Sequence, residues 1–380
     1  MNEPSHIPKS SADITADDYG LEAEDESSAS ISEPFDPSKI RVQTERKTID
    51  LIIRRYVHRE IDLAPDFQRR ARLWPLYRRS QLIESLLLKI PLPVFYVAAD
   101  QSDHWAVVDG LQRITTIVDF LGNEFALSGL EYLSGLENCY YSDLDRAMKR
   151  RIEETELVIN IIQPGTPDEV MMNIFKRINT GGVALNGQEI RNAIHKGPAR
   201  EFLRRLSTSP TFILATNGSV NDDRMGAQEL ALRFMAFYRI DRQDKPKNLD
   251  GLLNATMKSL NAIDDLERSR LEEHFNRAMA LAFEIFGTEA FRKPSVTKKN
   301  PINKALFETW GVNLAALRQS DIGSLLNSKD LLVRNYMSLY HEDKGFVDAV
   351  TASTGHSSKI FTRFMAIARV IQMTLQGKRI

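Results

Sequence analysis

One short stretch of the chain combines residue types that can hold a phosphate. Residues 104–121 read HWAVVDGLQRITTIVDFL, in which an apolar run passes through Asp109 and Gly110 into an amphipathic pattern. A strand that turns into a helix presents unpaired backbone N–H groups, and these donors, together with the helix dipole, favour an anion. Arg113 carries a planar fork that suits a phosphate, and Asp109 can ligate Mg²⁺ or orient water. The stretch therefore predicts a site for a phosphate and its metal ion.

The other residues of this turn admit two interpretations. Gly110 permits a ligand to approach the backbone closely, and Gln112 can donate or accept a hydrogen bond. In the structural alternative, Asp109 caps the helix and Arg113 is a solvated surface residue. Because short motifs often occur by chance, DGLQR alone does not decide between the two.

Two further segments carry similar residue types. DFQRRARLW, residues 66–74, contains the pair Gln68–Arg69 on a loop that follows a short predicted strand. NIFKRIN, residues 173–179, brings Arg177 and Asn179 to the end of a predicted helix. The glycine pair that follows can act as a hinge or simply terminate the helix. Three segments rich in Gln, Arg and Asn favour a binding site over a structural cap.

Apolar spacing predicts the elements that position these segments. Residues 49–57 form a helix stripe of Ile49, Ile52, Ile53, Tyr56 and Val57, and the stretch that follows DGLQR repeats the spacing with Ile114, Ile117, Val118 and Leu121. The runs PVFYVAAD, HWAVVD and ELVINIIQP are typical of strands, and IDL before the FQRR loop predicts a shorter one. After about residue 195 the pattern consists of long helices without strand alternation.

These patterns predict an α+β protein in three parts. Residues 1–40 form an acidic, serine-rich tail that is expected to be disordered. Residues 41–195 form an α/β domain with four or five strands, and residues 196–380 form a helical domain. The sequence predicts no internal repeat.

Composition excludes several classes of protein. The single cysteine, Cys139, excludes an internal disulfide framework and a cysteine-rich zinc site. The first residues lack the apolar core of a signal peptide, and no run approaches the roughly 18 apolar residues of a membrane span. We therefore expect a cytoplasmic protein without a membrane partner.

Charge is distributed unevenly along the chain. Residues 1–40 contain ten Asp or Glu against two Lys, whereas residues 41–80 contain eleven Lys or Arg against five Asp or Glu. Basic density of this kind predicts salt-dependent DNA binding, with Arg70 and Arg72 as contacts, although several of these arginines can lie on the solvated faces of helices. The acidic tail can compete with polyanions for this surface or serve only for solubility.

In this order, the three segments resemble the family of GmrSD-type restriction endonuclease N-terminal domains. That family shows P-x-F-Q-R…W, D-G-Q-Q-R and F-x-R-x-N, and this chain shows PDFQRRARLW, DGLQR and FKRIN. The resemblance extends over roughly residues 40–375, including LIESLLLKIPLPVFYV and NPINKALFETW. It implies an N-terminal domain similar to the ParB and sulfiredoxin nucleotide-binding fold. It also implies binding and hydrolysis of a nucleoside triphosphate with Mg²⁺ in bacterial defence against phage.

The resemblance assigns roles to residues of this chain. It implies catalytic roles for Asp109, Gln112 and Arg113, with Asp109 also holding the metal ion. It implies nucleotide contacts for a second set: Gln68, Arg69, Gly110, Arg177 and Asn179. The chain departs from the pattern at Leu111, where the family carries Gln, so hydrolysis and the choice of nucleotide are left open.

Many relatives carry an additional HNH-type nuclease, which needs a histidine base and further metal ligands. Asp103–His104 is the one pair that mimics the start of such a site, and the next histidine follows ninety-one positions later. We therefore interpret His104 as a strand-end residue and expect any nuclease to be a separate subunit. No GxxxxGK[ST] loop is present, which excludes a P-loop enzyme. A self-contained Mg²⁺-dependent nuclease built on Asp109 is the third and weakest alternative.

Overall fold

The chain folds into two compact units, which we describe separately. The computed structural model describes residues 20–22, 40–63, 74–178, 185–240, 248–295 and 299–379. The first unit, Pro34–Leu185, is called the sheet unit. The second, Asn186–Ile380 together with Met1–Glu33, is called the helical unit. The units divide between Leu185 and Asn186, whereas the sequence places the domain boundary after residue 195.

The sheet unit is built on one five-stranded mixed sheet. Its strands are β1 Val42–Thr48, β2 Ile61–Asp62, β3 Phe95–Ala99, β4 Trp105–Asp109 and β5 Glu156–Ile162. They lie in the order β1-β5-β3-β4-β2. The pairs β1/β5 and β3/β4 are antiparallel, and β3/β5 and β2/β4 are parallel. The prediction of an N-terminal α/β region is confirmed.

The sequence does not predict β1. Its residues VQTERKT are mostly polar, so they lack the alternation that marks a half-buried strand. The strand forms because its backbone pairs with β5 along its whole length, from Val42 opposite Ile162 to Thr48 opposite Glu156. Charged side chains suit this position, because β1 is at the edge of the sheet, where they discourage pairing with other chains.

Five α-helices in the described residues of this unit accompany the sheet. They are α1 Ile49–Val57, α2 Leu76–Leu87, α3 Leu111–Leu121, α4 Arg146–Glu153 and α5 Asp168–Ile178. The predicted stripe on α3 is confirmed, with Ile114 and Ile117 buried in the core under the sheet. On α1 the prediction is wrong at one position. Val57 is 67% exposed, because the helix ends there and the chain turns away at His58.

The helical unit contains eleven α-helices in its described residues. They are α6 Gly187–Ile194, α7 Pro198–Ser207, α8 Pro210–Thr216, α9 Gly226–Arg239, α10 Leu249–Ala262, α11 Asp265–Phe286, α12 Lys304–Ala315, α13 Gln319–Asn327, α14 Lys329–Glu342, α15 Lys344–Thr351 and α16 Ser357–Leu375. Phenylalanine rings fill their common core, with Phe234 and Phe275 in an edge-to-face contact at 5.0 Å between centroids. None of the described helices is long and apolar enough to cross a membrane.

Helix α6 explains the shift of the domain boundary. It begins with a capping box, in which the Asn186 and Glu189 side chains accept from each other's backbone N–H groups. Glu189 also pairs with Arg224, and Arg191 pairs with Asp250 at 2.6 Å. These ionic contacts attach α6 to the helical unit, and apolar spacing does not reveal them.

The acidic N-terminal segment is partly built into the helical unit. Residues 20–22 are described, and Leu21 is only 5% exposed in the helical core. At these three positions the chain is packed, although composition predicts a disordered tail.

Candidate functional site

The turn between β4 and α3 has the backbone geometry that its sequence predicts. Strand β4 ends at Asp109, and Gly110 adopts φ 99°, in the left-handed region that favours glycine. A Cβ at Gly110 would lie 2.4 Å from Cδ1 of Phe95, so the ring leaves no room for a side chain. Gly110 is the N-cap of α3, and no side chain caps this end. The alternative in which Asp109 caps the helix is therefore wrong.

Arg113 is an internal residue of this turn. It is 9% exposed, which excludes the interpretation as a solvated surface residue. Its Nη1 donates to the Pro93 carbonyl, and its Nη2 donates to the Val94 carbonyl at 3.2 Å and to Asp109 Oδ2 at 2.9 Å. Its guanidinium also lies 4.1 Å from the centroid of the Phe95 ring. Arg113 thus joins the end of β4 to the chain that enters β3.

The electrostatics of the turn follow from this burial. Desolvation lowers the pKa of Arg113, and the adjacent Asp109 carboxylate opposes this shift. Asp109 remains accessible, since 31% of its side chain is exposed. The turn therefore presents one reachable carboxylate next to a cation that the protein holds in a fixed position.

Gln112 lies in the first turn of α3 and is half-buried. Its backbone carbonyl accepts from the Thr116 hydroxyl at 2.7 Å. Gly110, Gln112 and Arg113 are therefore brought together within one turn of helix, next to Asp109.

The first Gln/Arg segment follows a strand that points toward the same edge. Strand β2 runs parallel to β4, with Asp62 opposite Ala106, so both strands end on the same side of the sheet. The residues predicted from this segment lie outside the described residues: Gln68, Arg69, Arg70 and Arg72. Asp62, half-buried at the end of β2, is a carboxylate at this edge that the sequence analysis did not select. Its position at the end of a predicted strand is the feature of the sequence that could have identified it.

The third segment is described only in part. Helix α5 contacts β4, and its Phe175 is fully buried. Arg177, near the end of α5, is exposed. Asn179 and the glycine pair Gly181–Gly182 lie outside the described residues.

Phe95 and the carbonyls of Pro93 and Val94 are the partners of Arg113 that the sequence analysis missed. A backbone carbonyl carries no sequence signal, because every residue has one. The aromatic residue at the start of β3 was visible, but nothing in its spacing indicates that a guanidinium stacks on it.

Two arginines of the basic stretch are also internal. Arg55 stacks on Trp105 at 3.9 Å from the ring centroid and pairs with Asp103 at 2.9 Å. Arg79 pairs with Asp119 at 2.6 Å. These two guanidinium groups stabilise the sheet unit, so they do not contribute to a basic surface.

Metal-binding groups are sparse in the described part of the chain. No group of three or more His, Cys, Asp or Glu side chains there can hold a metal ion. His104 precedes β4 and donates its backbone N–H to Asp100 at 2.9 Å, as expected of a strand-end residue. Asp109 alone fits Mg²⁺ that arrives with phosphates, because this ion keeps its waters and often binds through one or two carboxylates.

Comparison with known proteins identifies the domain that contains these segments. No curated protein matches the chain. Residues 52–196 match the family model described as GmrSD restriction endonuclease, N-terminal domain. Residues 52–196 form a GmrSD N-terminal domain. The resemblance seen in the three sequence motifs is thereby confirmed.

The GmrSD N-terminal domain includes all three Gln/Arg segments and ends two residues after α6. The matched range thus extends beyond the sheet unit into the first helix of the helical unit. The matched domain suggests a component of a phage-defence restriction system.

Proposed function

We propose that the GmrSD N-terminal domain of this chain binds a nucleoside triphosphate with Mg²⁺ at the junction of β4 and α3. The turn around Gly110 supplies the observation on which the proposal mainly depends. A helix start without a side-chain cap lies beside an accessible carboxylate and a buried cation. Backbone donors, a fixed positive charge and one carboxylate are the groups that a phosphate and its metal ion need.

The contacts refine the role of each residue. Arg113 acts mainly by position, because three acceptors and an aromatic ring already hold its guanidinium. It fixes Asp109 and adds positive charge to the turn. Gly110 gives the phosphate access to the backbone, and Gln112 offers a side-chain amide at the first turn of α3. Arg177 adds an exposed guanidinium from the third segment.

Hydrolysis would depend on positioning and on electrostatic stabilisation of the phosphates. Bound Mg²⁺ would neutralise phosphate charge, and Asp109 would hold the ion or orient a water molecule. Gln68, Arg69 and Asn179 complete the proposed set. The proposal includes a ParB-like fold for this domain. It also includes hydrolysis of the nucleotide by this chain, which carries Leu111 where the family carries Gln. A separate nuclease subunit would carry out cleavage of DNA.

The decisive measurement is a nucleotide panel with Mg²⁺ on the full chain. Calorimetry measures binding of ATP, GTP, CTP and UTP, and a phosphate assay measures release with and without DNA. We expect Asp109→Asn to retain the fold but to lose phosphate release at least about tenfold. We expect Arg177→Ala, at an exposed position, to weaken binding by about tenfold, which is about 1.4 kcal/mol.

Arg150→Ala is the matched control for this experiment. Arg150 is 63% exposed on α4 of the same unit, where it forms a surface pair with Glu154, so its removal should change neither readout. Failure of the parent to bind any nucleotide would refute the proposal. Equal activity of the parent and Asp109→Asn would remove Asp109 from the site.

DNA binding without turnover is the second candidate. It is favoured by exposed arginines such as Arg46 and Arg54, whose side chains are 73% and 71% exposed. The internal positions of Arg55 and Arg79 reduce the basic surface that the sequence predicts. A DNA affinity that falls steeply with salt would support this function, and an absent or salt-insensitive affinity would exclude it.

A further inference from the structure

Three residues of the acidic N-terminal segment form a specific contact with the helical unit. Leu21 and Ile302 form a parallel bridge. The Ile302 N–H donates to the Gly20 carbonyl at 2.9 Å, and the Glu22 N–H donates to the Ile302 carbonyl at 2.9 Å. The segment thus binds by strand-like pairing, as extended peptides do on protein surfaces.

The contact selects the residue types at the first two positions. Gly20 adopts φ 72°, and a Cβ there would lie 1.7 Å from the Ser219 carbonyl oxygen. Leu21 enters the helical core beside Gly226, where an added Cβ would lie 2.7 Å from Leu21 Cδ1. The helical unit therefore leaves no room for a side chain at position 20 and accepts a leucine at position 21.

The third position is selected by charge. The Glu22 carboxylate forms an ion pair with Lys293 and accepts from Asn303 Nδ2 at 3.0 Å. Asn303 is held in place, because its Oδ1 caps α12 and its Nδ2 also donates to the Val350 carbonyl. The carboxylate thus meets donors that are fixed by the helical unit.

The surroundings in sequence are complementary in charge. Residues 17–26 read DDYGLEAEDE, with six acidic residues in ten positions. Ile302 directly follows the stretch RKPSVTKKNP, residues 292–301, which contains four basic residues and no acidic one in its sequence. Opposite charge on the two segments favours their encounter as well as their contact.

We propose that Ile302 and its neighbours Ser219, Gly226, Lys293 and Asn303 form a recognition site for an acidic peptide with Gly-Leu-Glu at its centre. Residues 20–22 of the same chain occupy this site. The site holds Gly20–Glu22 against Ile302 of the helical unit. It gives one explanation for two charged segments that lie about 270 positions apart in the sequence.

Hydrogen exchange at the Ile302 amide tests the contact in the full chain. This N–H donates to the Gly20 carbonyl, so displacing the segment should accelerate its exchange. We expect Gly20→Ala and Leu21→Asp each to accelerate exchange at least about tenfold, since each side chain would not fit and the displaced segment would leave the Ile302 N–H without its Gly20 acceptor. Gly323→Ala is the control, because a Cβ at Gly323 in α13 meets open space. Unchanged protection at Ile302 in both variants would overturn the proposal.

Binding in trans tests whether the site recognises the peptide as such. A fluorescent peptide of residues 15–28 is titrated into full-length Leu21→Asp, whose own segment no longer fits, and into the parent. We expect the peptide to bind the variant at least tenfold more tightly than the parent, because the parent site is occupied. The same peptide with Leu21→Asp should not bind. Equal binding of the two peptides would show that charge alone attracts them and would overturn the proposal.

A charge exchange identifies the partner of the carboxylate. Lys293→Glu in the full-length Leu21→Asp chain should abolish binding of the peptide, and Glu22→Lys in the peptide should restore it. Both substituted residues are partly exposed, so the fold should tolerate them. Lack of restoration would contradict the assigned ion pair.

Discussion

The two units use buried arginine in different ways. In the sheet unit, Arg113 pairs with Asp109, and 31% of that carboxylate side chain remains exposed. In the helical unit, Arg363 pairs with Glu308, and neither side chain is exposed. The open pair lies at a strand-to-helix turn that a ligand can reach, and the closed pair lies among packed helices. The accessible carboxylate, rather than the buried guanidinium, therefore distinguishes a binding arrangement from a structural one.

The closed pair belongs to a larger ionic network. Arg233 reaches Glu308 at 3.4 Å and Glu229 at 2.9 Å, and Lys304 pairs with Glu229 at 3.1 Å. Through these contacts the network joins α9, α12 and α16. Charges removed from water are tolerated only when partners offset the cost of desolvation. Loss of one partner should therefore be more damaging here than at the open turn.

Glu308→Ala should have the largest effect. It leaves the fully buried Arg363 without its carboxylate, and breaking a buried ion pair from one side costs about 3–5 kcal/mol. Urea unfolding of the full chain, followed by the signal of the helical unit, measures the loss. Glu201→Ala is the control, because its pair with Arg204 has side chains that are 61% and 50% exposed. Such a surface pair contributes about 0–1 kcal/mol, so equal losses would contradict the comparison.

Arg113→Ala should have an intermediate effect. It removes hydrogen bonds to Asp109 and to the Pro93 and Val94 carbonyls. A hydrogen bond to a charged group contributes about 1.5–3 kcal/mol to stability. Partial access of water to Asp109 reduces the loss to roughly 2–3 kcal/mol. Urea unfolding measures this loss, and calorimetry measures nucleotide binding by the fraction that remains folded.

Arg113→Lys separates charge from geometry at the same position. Lysine retains the positive charge but cannot reproduce the planar fork that serves several acceptors at once. If Arg113 acts by position, the lysine variant should lose nucleotide binding nearly as far as the alanine variant. Full binding by the lysine variant would show that charge alone is sufficient.

The smallest effect concerns acid stability. Burial alone would raise the pKa of Glu229, but Lys304, Arg233 and Arg191 outweigh it and hold the pKa well below its ordinary value. A carboxyl whose pKa is lower in the folded state contributes stability above its ordinary pKa of 4.5. This contribution is lost as the pH falls from 4.5 toward the depressed value. Glu229→Gln should therefore make the free energy of unfolding less dependent on pH in this range, and an unchanged slope would contradict the assignment.

Much of the sheet unit could be predicted from local pattern. The strands that contain Val97, Val107 and Ile159 have apolar runs of strand length, and α3 repeats its apolar residues at helical spacing. The turn at Gly110 was also visible, because Asp-Gly between a strand and a helix restricts the backbone. The polar strand β1 could not be predicted, because only its pairing with β5 makes it a strand.

The side-chain contacts of the site could be predicted less well from the sequence. Arg113 was selected correctly as a residue of the turn, but the sequence did not show that its guanidinium faces the Pro93 and Val94 carbonyls. Arg55 and Arg79 were counted with a basic surface, although Trp105, Phe125 and Asp119, which they contact, lie 40 to 50 positions away in sequence. Partners so distant become known only once the chain is folded.

The sequence by itself determined the local elements other than β1, the family of residues 52–196 and the three segments that carry its motifs. These depend on the spacing of apolar residues and on short runs of neighbouring residues. Only the tertiary structure decided which charges are buried, that Gly20–Glu22 binds near Ile302, and that α6 belongs to the helical unit. Each of these depends on contacts between residues far apart along the chain, and desolvation makes such contacts strong only after packing has excluded water.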